Sequence, residues 1–257
     1  MNDLHARRAA SFGHVATEYA RHRPDYPDEA VAWALASLPH CAPFIGTVLD
    51  LGAGTGKLTA SILRCGVPTA AVLAVEPDDE MRAQLSRQLP EIATLRGSAE
   101  QIPAKDGAVD AVLVGQAFHW FDPDHALPEI ARVLRPEGVL AAIGNIEDDS
   151  VGWVAELAEA IQAARPAGSI RPGLAEMPEH PAFGKPEQRQ FRWHWPRTID
   201  SLLDTTSTHS WALVSSPVER AAAMVAIRRF LEHHPVTRHG TFELPMQTLV
   251  NRATRRA

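Results

Sequence analysis

Short apolar runs and helical patterns alternate along the first half of the chain. Each run is too brief for a helix and ends at polar residues or glycine, which is typical of a buried strand. The segments between them carry apolar residues at helical spacing and end at Pro or Gly. The predicted strands are 47–51, 71–75, 92–96, 109–114 and 139–143, and the predicted helices are 28–38, one after Gly56, 78–89 and 124–134. This alternation predicts βαβ units, hence a parallel sheet with helices on both faces.

The alternation lapses beyond Gly144. Prolines interrupt the stretch up to Pro186, and the chain then regains regular patterns. The predicted helices are 151–164, 199–208 and 218–233, and the predicted strands are 188–195 and 241–250. Arg252, Arg255 and Arg256 read as a frayed basic tail. We predict one domain over residues 1–257, in which the second half completes the sheet of the first.

Composition narrows the class of protein. The 257 residues are 45% hydrophobic and 22% charged, as in an ordinary globular chain. A formal net charge of −6 counts against a broad nucleic-acid surface. No run approaches the ~20 apolar residues of a membrane span, so we expect a cytoplasmic protein. The 12 histidines show no ligand spacing, and Cys41 and Cys65 lie too far apart for a CxxC pair, so no metal is expected.

The first candidate for chemistry is Asp50-Leu-Gly52-Ala-Gly54-Thr-Gly56-Lys57, which follows a predicted strand. Glycines at such a turn let a ligand approach backbone N–H groups closely. A nucleoside triphosphate loop would need Ser or Thr after the lysine, and Leu58 stands there. A dinucleotide loop would need glycine at position 57, which weakens a nicotinamide interpretation without removing it. The glycines could also serve only tight strand-to-helix packing.

The Asp-x-Gly-x-Gly-x-Gly pattern resembles the class I S-adenosylmethionine-dependent methyltransferases, and the resemblance covers about residues 12–144. It implies an α/β Rossmann-like, seven-stranded, mostly parallel sheet with helices on both faces. Four parts are expected, namely an N-terminal helical lid (1–40), a cofactor-binding core (41–144), a variable Pro-rich cover (145–186) and a completion of the sheet (187–257). In this family the loop lies along the methionine and ribose of S-adenosyl-L-methionine, and the product is S-adenosyl-L-homocysteine. The implied cofactor contacts are Asp50, Gly52, Ala53, Gly54, Thr55 and Gly56.

Glu76 ends the next apolar strand, at the position where an acidic side chain accepts hydrogen bonds from ribose hydroxyls. Helix capping is the weaker alternative, because Asp78 and Asp79 are available for it. Pro77 follows directly and is included among the cofactor contacts. Met81, one helical turn further on, either covers the adenine or is a plain core residue.

The segment Gly97-Ser98-Ala99-Glu100 resembles the adenine-side loop of the same family. The resemblance implies that Ser98, the Ala99 amide and Glu100 read the edge of the base. Ser98 stands where aspartate is often found, and a hydroxyl is a weaker acceptor than a carboxylate.

Two further motifs resemble a small-molecule branch that includes trans-aconitate methyltransferase-like proteins. One is Tyr19-x-x-x-Arg23-Pro-x-Tyr26-Pro, and the other is Ala117-Phe118-His119-Trp120-Phe121, shortly after a strand. The implied cofactor contacts are Tyr19, Arg23, Gln116 and Ala117, and the implied substrate contacts are Tyr26, His119 and Trp120.

His119 is the candidate catalytic base, since an ordinary imidazole accepts a proton near neutral pH. Two alternatives stand beside this role. His119 could only hold the loop in shape, or the acceptor could be a carboxylate that needs no base.

The predicted function is transfer of a methyl group from S-adenosylmethionine to an O, N or C nucleophile of a small molecule by in-line displacement. The alternatives are a tRNA or protein methyltransferase, a cofactor-binding regulatory protein without turnover, and a nicotinamide oxidoreductase. No nucleic-acid or membrane partner is expected, and the oligomeric state stays open.

Overall fold

A computed structural model describes residues 16–36, 46–166 and 177–257. The helices are α1 (Ala16–His22), α2 (Asp28–Leu35), α3 (Lys57–Arg64), α4 (Asp79–Gln88), α5 (Pro123–Val133), α6 (Gly152–Ala164), α7 (Ile199–Ser207), α8 (Ser210–Val214) and α9 (Pro217–His233). The strands are β1 (Val48–Leu51), β2 (Val72–Val75), β3 (Ala93–Leu95), β4 (Val109–Gly115), β5 (Leu134–Glu147), β6 (Glu187–Thr198) and β7 (Thr241–Thr254). Single 3₁₀ turns cover Thr69–Ala71 and Phe118–Trp120.

The strands form one seven-stranded sheet in the order β3-β2-β1-β4-β5-β7-β6. The four neighbouring pairs from β3 to β5 are all parallel. The strand order therefore reverses between β1 and β4, and the βαβ alternation predicted for this half is confirmed. In an open α/β sheet, ligands bind beyond the carboxyl ends of the strands at such a reversal.

The chain divides into two compact units. The first, here called the glycine-loop unit, contains the described residues of Pro24–Asn145, Pro172–Phe191 and Thr248–Ala257. Its sheet is apolar on both faces. Val48, Ala111 and Leu113 belong to one buried cluster, while Leu49 and Val112 belong to another. Because successive strand residues point to opposite faces, this double burial explains the continuous apolar runs in the sequence.

The second, here called the helical unit, contains the described residues of Met1–Arg23, Ile146–Arg171 and Arg192–Gln247. Helix α9 packs against α6 and α7, and α1 packs against α7. These helices bury their own cluster, which includes Leu157, Trp211, Ile227 and Leu231. The prediction of one domain with a lid and a Pro-rich cover stays a prediction.

The structure differs from the sequence predictions at three places. Strand β5 begins at Leu134 and runs through Arg135-Pro-Glu-Gly138, whereas the predicted strand began at Val139. Helix α8 was missed because five residues are too few to show a helical period. Arg252, which was predicted in a frayed tail, lies in β7, where its guanidinium stacks on the Trp33 ring at 3.9 Å and pairs with Glu187 at 2.8 Å. Arg255, just beyond the end of β7, pairs with Phe183 through the backbone. No helix among the described residues has the length and apolar character to span a bilayer.

Candidate functional site

The three glycines of the loop between β1 and α3 differ in what a side chain at each position would contact. All have a positive φ, namely +70° at Gly52, +57° at Gly54 and +90° at Gly56. A Cβ on Gly52 would lie 2.8 Å from the Ala117 Cβ, and one on Gly56 would lie 3.0 Å from the Leu85 Cγ. A Cβ on Gly54 would meet nothing within 4 Å. Packing therefore explains Gly52 and Gly56, whereas Gly54 borders open space.

Two buried oxygens in this loop have no hydrogen-bond partner among the described residues. They are Asp50 Oδ1 and Thr55 Oγ1. Asp50 is fully buried, and its other oxygen accepts a 2.5 Å hydrogen bond from the Thr59 hydroxyl. Burial raises the pKa of Asp50 to about 7. Buried polar atoms are normally paired, so this pair of oxygens indicates a place for a polar ligand.

Glu76 lies at the carboxyl end of β2 and joins the loop to the next turn. One carboxylate oxygen accepts from the Gly54 N–H at 2.8 Å, and the other accepts from the Asp78 N–H at 2.9 Å. The side chain is 7% exposed, and burial raises its pKa. Each oxygen keeps a further lone pair for a hydroxyl donor.

Helix capping here belongs to Asp78, as predicted. Its side chain accepts from the N–H groups of Glu80 and Met81 at the start of α4. The Met81 side chain is buried, and Pro77 is exposed.

The adenine-side segment forms a tight turn in which Ser98 and Gln101 exchange backbone hydrogen bonds. Ala99 is buried. Its N–H donates to no acceptor in the part of the chain that the structure describes, so it is available to a ligand. The Glu100 side chain is already engaged, because it accepts from the Asp122 N–H at 3.0 Å.

Gln116 follows β4 in a left-handed conformation, with φ 56°. Its backbone N–H donates to the Ile143 carbonyl at 2.9 Å, and its side-chain amide donates to the Asn145 carbonyl at 2.7 Å. A non-glycine residue adopts such a φ only when its surroundings fix it. Ala117 comes next and packs on Gly52, so this segment and the glycine loop hold each other in place.

A pocket in the glycine-loop unit lies beside this segment. Its lining includes Gln116, Phe118, His119, Ile143, Leu249 and Asn251. The His119 and Trp120 rings lie 4.6 Å apart, and both side chains are half-buried. Tyr26 is buried, and its hydroxyl lies 2.7 Å from the position that a Cβ on Gly115 would take. His119 therefore faces a pocket, while Tyr26 packs against the end of β4.

Tyr19 and Arg23 belong to the helical unit. The Arg23 guanidinium lies 5.1 Å from the centre of the Tyr19 ring and donates to the Thr208 carbonyl at 3.0 Å. Their predicted contacts with a cofactor stay predictions.

Two supporting residues were missed by the sequence analysis. Thr59 orients Asp50 from the first turns of α3. Asn145, near the end of β5, donates from its amide to the Asp25 carbonyl at 3.1 Å and accepts from the Thr248 hydroxyl at 2.6 Å. A polar residue after an apolar strand was the available signal for Asn145, since strand ends carry ligand-site residues in α/β folds.

Comparison with known proteins decides the family. The chain matches a family model described as a methyltransferase domain over residues 49–142. It is 40% identical over 245 residues to the uncharacterized methyltransferase Rv3342 of Mycobacterium tuberculosis, and the match covers 95% of each chain. The chain belongs to the class I S-adenosylmethionine-dependent methyltransferases.

The chain is also similar to one further relative and to one solved structure. It is 38% identical over 111 residues to a malonyl-[acyl-carrier protein] O-methyltransferase of Methylococcus capsulatus, covering 42% of this chain and 40% of the relative. Its fold matches that of a protein from Anaeromyxobacter dehalogenans described as a type II methyltransferase. That match has a TM-score of 0.62 at 23% identity and covers 91% of this chain and 97% of the other. The predicted family and fold class are confirmed.

Proposed function

We propose that this methyltransferase transfers the methyl group of S-adenosyl-L-methionine to a nucleophilic O, N or C atom of a small molecule. The observation that carries the proposal is the cradle at the reversal of strand order. It combines an open side of Gly54 with the unpaired buried oxygens of Asp50 and Thr55. When bound, the cofactor supplies a methyl group on a positively charged sulfur that is already activated for displacement.

The residues of the cradle fit such a ligand. The Glu76 carboxylate is fixed by two backbone N–H groups and has lone pairs left for ribose hydroxyls. Asp50 offers an unpaired carboxylate oxygen, which favours a ligand carrying positive charge. The Ala99 N–H is the donor proposed to read the adenine. We propose the remaining predicted contacts within the glycine-loop unit as supports of the same ligand.

The acceptor is proposed to bind in the pocket beside Gln116, which His119 lines, with the Trp120 ring 4.6 Å from the His119 ring. The lining combines apolar side chains, such as Ile143 and Leu249, with the amides of Gln116 and Asn251, and such a combination is common in ligand pockets. In-line alignment of the nucleophile with the methyl group is then the main task of the protein, and such alignment is worth roughly 7–11 kcal/mol. His119 would remove a proton where the acceptor carries one.

Two glycines test the cradle as a matched pair. Gly54 and Gly107 both have φ +57°, and a Cβ on either would meet nothing within 4 Å. Gly54→Ala and Gly107→Ala should therefore carry a similar backbone strain, about 1–2 kcal/mol in the free energy of unfolding. Only Gly54→Ala should weaken S-adenosylhomocysteine binding, by at least tenfold in calorimetry. Equal affinities in the two variants would contradict the cradle.

Turnover is tested separately. The full-length protein is incubated with S-adenosylmethionine and a panel of small carboxylic acids, phenols and amines, and S-adenosylhomocysteine is quantified. Acceptor-dependent formation of the product supports the proposal. Tight cofactor binding with product formed only on added tRNA or protein would contradict the small-molecule acceptor.

A further inference from the structure

The pocket beside Gln116 lies within the glycine-loop unit and combines apolar walls with two side-chain amides. Phe118, Ile143 and Leu249 belong to the walls, and Gln116 and Asn251 bring the amides. None of the described residues that line the pocket is Lys, Arg, Asp or Glu. A charged group seated here would lose water without gaining a permanently charged partner, which is costly.

The orientation of the Gln116 amide is fixed by its neighbour. Its Nε2 donates to the Asn145 carbonyl at 2.7 Å. Because a backbone carbonyl can only accept, the nitrogen must lie at this contact and the oxygen on the other side of the amide. The Gln116 Oε1 accepts no hydrogen bond within the part of the chain that the structure describes. Gln116 therefore offers an acceptor to a ligand in the pocket.

Asn251 offers a donor. The residue is buried, and its Oδ1 accepts from the Gln188 Nε2 at 3.0 Å. Its Nδ2 donates to no acceptor among the described residues. A side-chain N–H of a buried residue normally finds an acceptor. The pocket that Asn251 lines is the place where a ligand would supply one.

We propose that the substrate group seated in this pocket is uncharged and both donates and accepts a hydrogen bond, as a hydroxyl or a primary amide does. Gln116 and Asn251 are then the residues that determine specificity. A carboxylate has no proton for the Gln116 oxygen, and an ammonium group has no lone pair for the Asn251 N–H. The inference rests on the proposed function, because it takes this pocket as the acceptor site.

Three probes of nearly the same planar shape test the charge preference. They are benzamide, benzoate and benzamidinium, which are neutral, negative and positive at pH 7. Binding is measured by calorimetry and by ligand-observed NMR on the full-length protein saturated with S-adenosylhomocysteine. The wild type should bind benzamide about tenfold more tightly than either ion. Acetamide and acetate repeat the comparison at smaller size.

Two substitutions of Asn251 separate recognition from folding. Asn251→Leu should weaken benzamide binding about fivefold or more, because one hydrogen bond is lost. Asn251→Asp keeps an oxygen for Gln188 and replaces the Nδ2 donor by an acceptor with negative charge. It should therefore bind benzamidinium more tightly than benzamide, a reversal that misfolding does not produce. Gln116→Leu should weaken benzamide binding as Asn251→Leu does.

Gln88→Leu is the control for replacing an amide by leucine. Gln88 is exposed at the end of α4, which connects β2 to β3, so the affinities for all three probes should stay as in the wild type.

Three results would overturn the inference. The wild type could bind none of the probes, it could bind an ion as tightly as benzamide, or Asn251→Asp could keep the wild-type preference. With S-adenosylhomocysteine still bound, each of these would leave the cradle of the glycine loop intact. Failure of the wild type to bind S-adenosylhomocysteine would instead contradict the proposed function.

Discussion

The Gly54 N–H donates a 2.8 Å hydrogen bond to the carboxylate of Glu76, which ties the glycine loop to the end of the neighbouring strand. The second carboxylate oxygen holds the Asp78 N–H at 2.9 Å. Glu76 therefore fixes the shape of the cradle and also offers acceptors to a ligand. A side chain with both roles should affect stability and cofactor affinity together.

Glu76→Ala is expected to lower both quantities. Two backbone N–H groups lose their acceptor, which costs about 1–3 kcal/mol each if water does not replace it. S-adenosylmethionine affinity should fall by about 1.5–3 kcal/mol, the range for hydrogen bonds to a charged group. Urea denaturation and calorimetry measure the two effects. Glu76 is only 7% exposed, so its loss should not leave the stability of the fold unchanged.

Asp78→Ala is the matched control. It removes the cap of α4, which is worth about 0.5–2 kcal/mol, and keeps the N–H that Glu76 binds. Stability should fall while cofactor affinity stays within about threefold. If Asp78→Ala loses as much affinity as Glu76→Ala, the loss reflects a disturbed turn rather than a ribose contact.

The sequence predicted the alternating half of the fold because β1, β2 and β4 are buried on both faces and the helices between the strands are amphipathic. The start of strand β5 could not be predicted from such local patterns. Its first residues include Pro136 and Gly138, which locally read as a turn, yet they continue a strand. Pairing with distant residues decided this conformation, and a local pattern does not contain that information.

The sequence predicted which residues lie at the candidate site. It did not predict what each of them contributes. Gly52, Gly54 and Gly56 look equivalent in the sequence, but only the structure shows that Ala117 and Leu85 explain two of them. Likewise, the Gln116 side-chain amide donates to the backbone carbonyl of Asn145. Any residue at position 145 has such a carbonyl, so its side chain gives no signal of this contact. Such roles depend on contacts between residues far apart in the chain.

Asp50 should make the stability of the cofactor-free protein depend on pH. Burial raises its pKa to about 7, above the ~3.9 expected when unfolded. The folded state then binds the extra proton, so this residue's contribution to stability falls as pH rises from about 4 to about 7 and is constant above. Urea denaturation of the wild type and Asp50→Asn at pH 5, 6, 7 and 8 measures it. The stability of wild type relative to Asp50→Asn should decline up to pH 7 and then level off; a constant difference would contradict the raised pKa.

The contribution of Asp50 to stability should fall as pH rises, whereas its contribution to S-adenosylmethionine binding should increase. Ionised Asp50 favours a positively charged ligand, so S-adenosylmethionine affinity should increase between pH 6 and pH 8. S-adenosylhomocysteine lacks the sulfonium charge and should respond less. Calorimetry with both ligands on wild type and Asp50→Asn tests this. The same pH slope for the two ligands, or a slope that survives in Asp50→Asn, would show that Asp50 does not act on the sulfonium.

Asn145 and Thr248 should be coupled in stability. The Thr248 hydroxyl donates to the Asn145 side chain at 2.6 Å, and both residues are buried. Asn145→Ala should cost about 1–3 kcal/mol, because it leaves the Asp25 carbonyl and the Thr248 hydroxyl without this partner. In a double-mutant cycle with Thr248→Val, the coupling energy should be about 0.5–3 kcal/mol. Additive losses would show that the two side chains act independently.

His119 is tested by asking whether the reaction needs a base. Its half-buried ring lines the pocket beside Gln116, where a proposed acceptor would lie. A base predicts that kcat falls roughly 10²-fold or more in His119→Ala and His119→Gln while S-adenosylhomocysteine affinity is kept. The wild-type rate should fall at acid pH as the imidazole gains a proton, and this acid-side decrease should be absent in both variants. The assay follows product formation with an acceptor from the panel over pH 6 to 9. Equal loss of cofactor affinity would indicate that His119 only shapes the loop, and near-normal turnover in both variants would leave alignment as the source of catalysis.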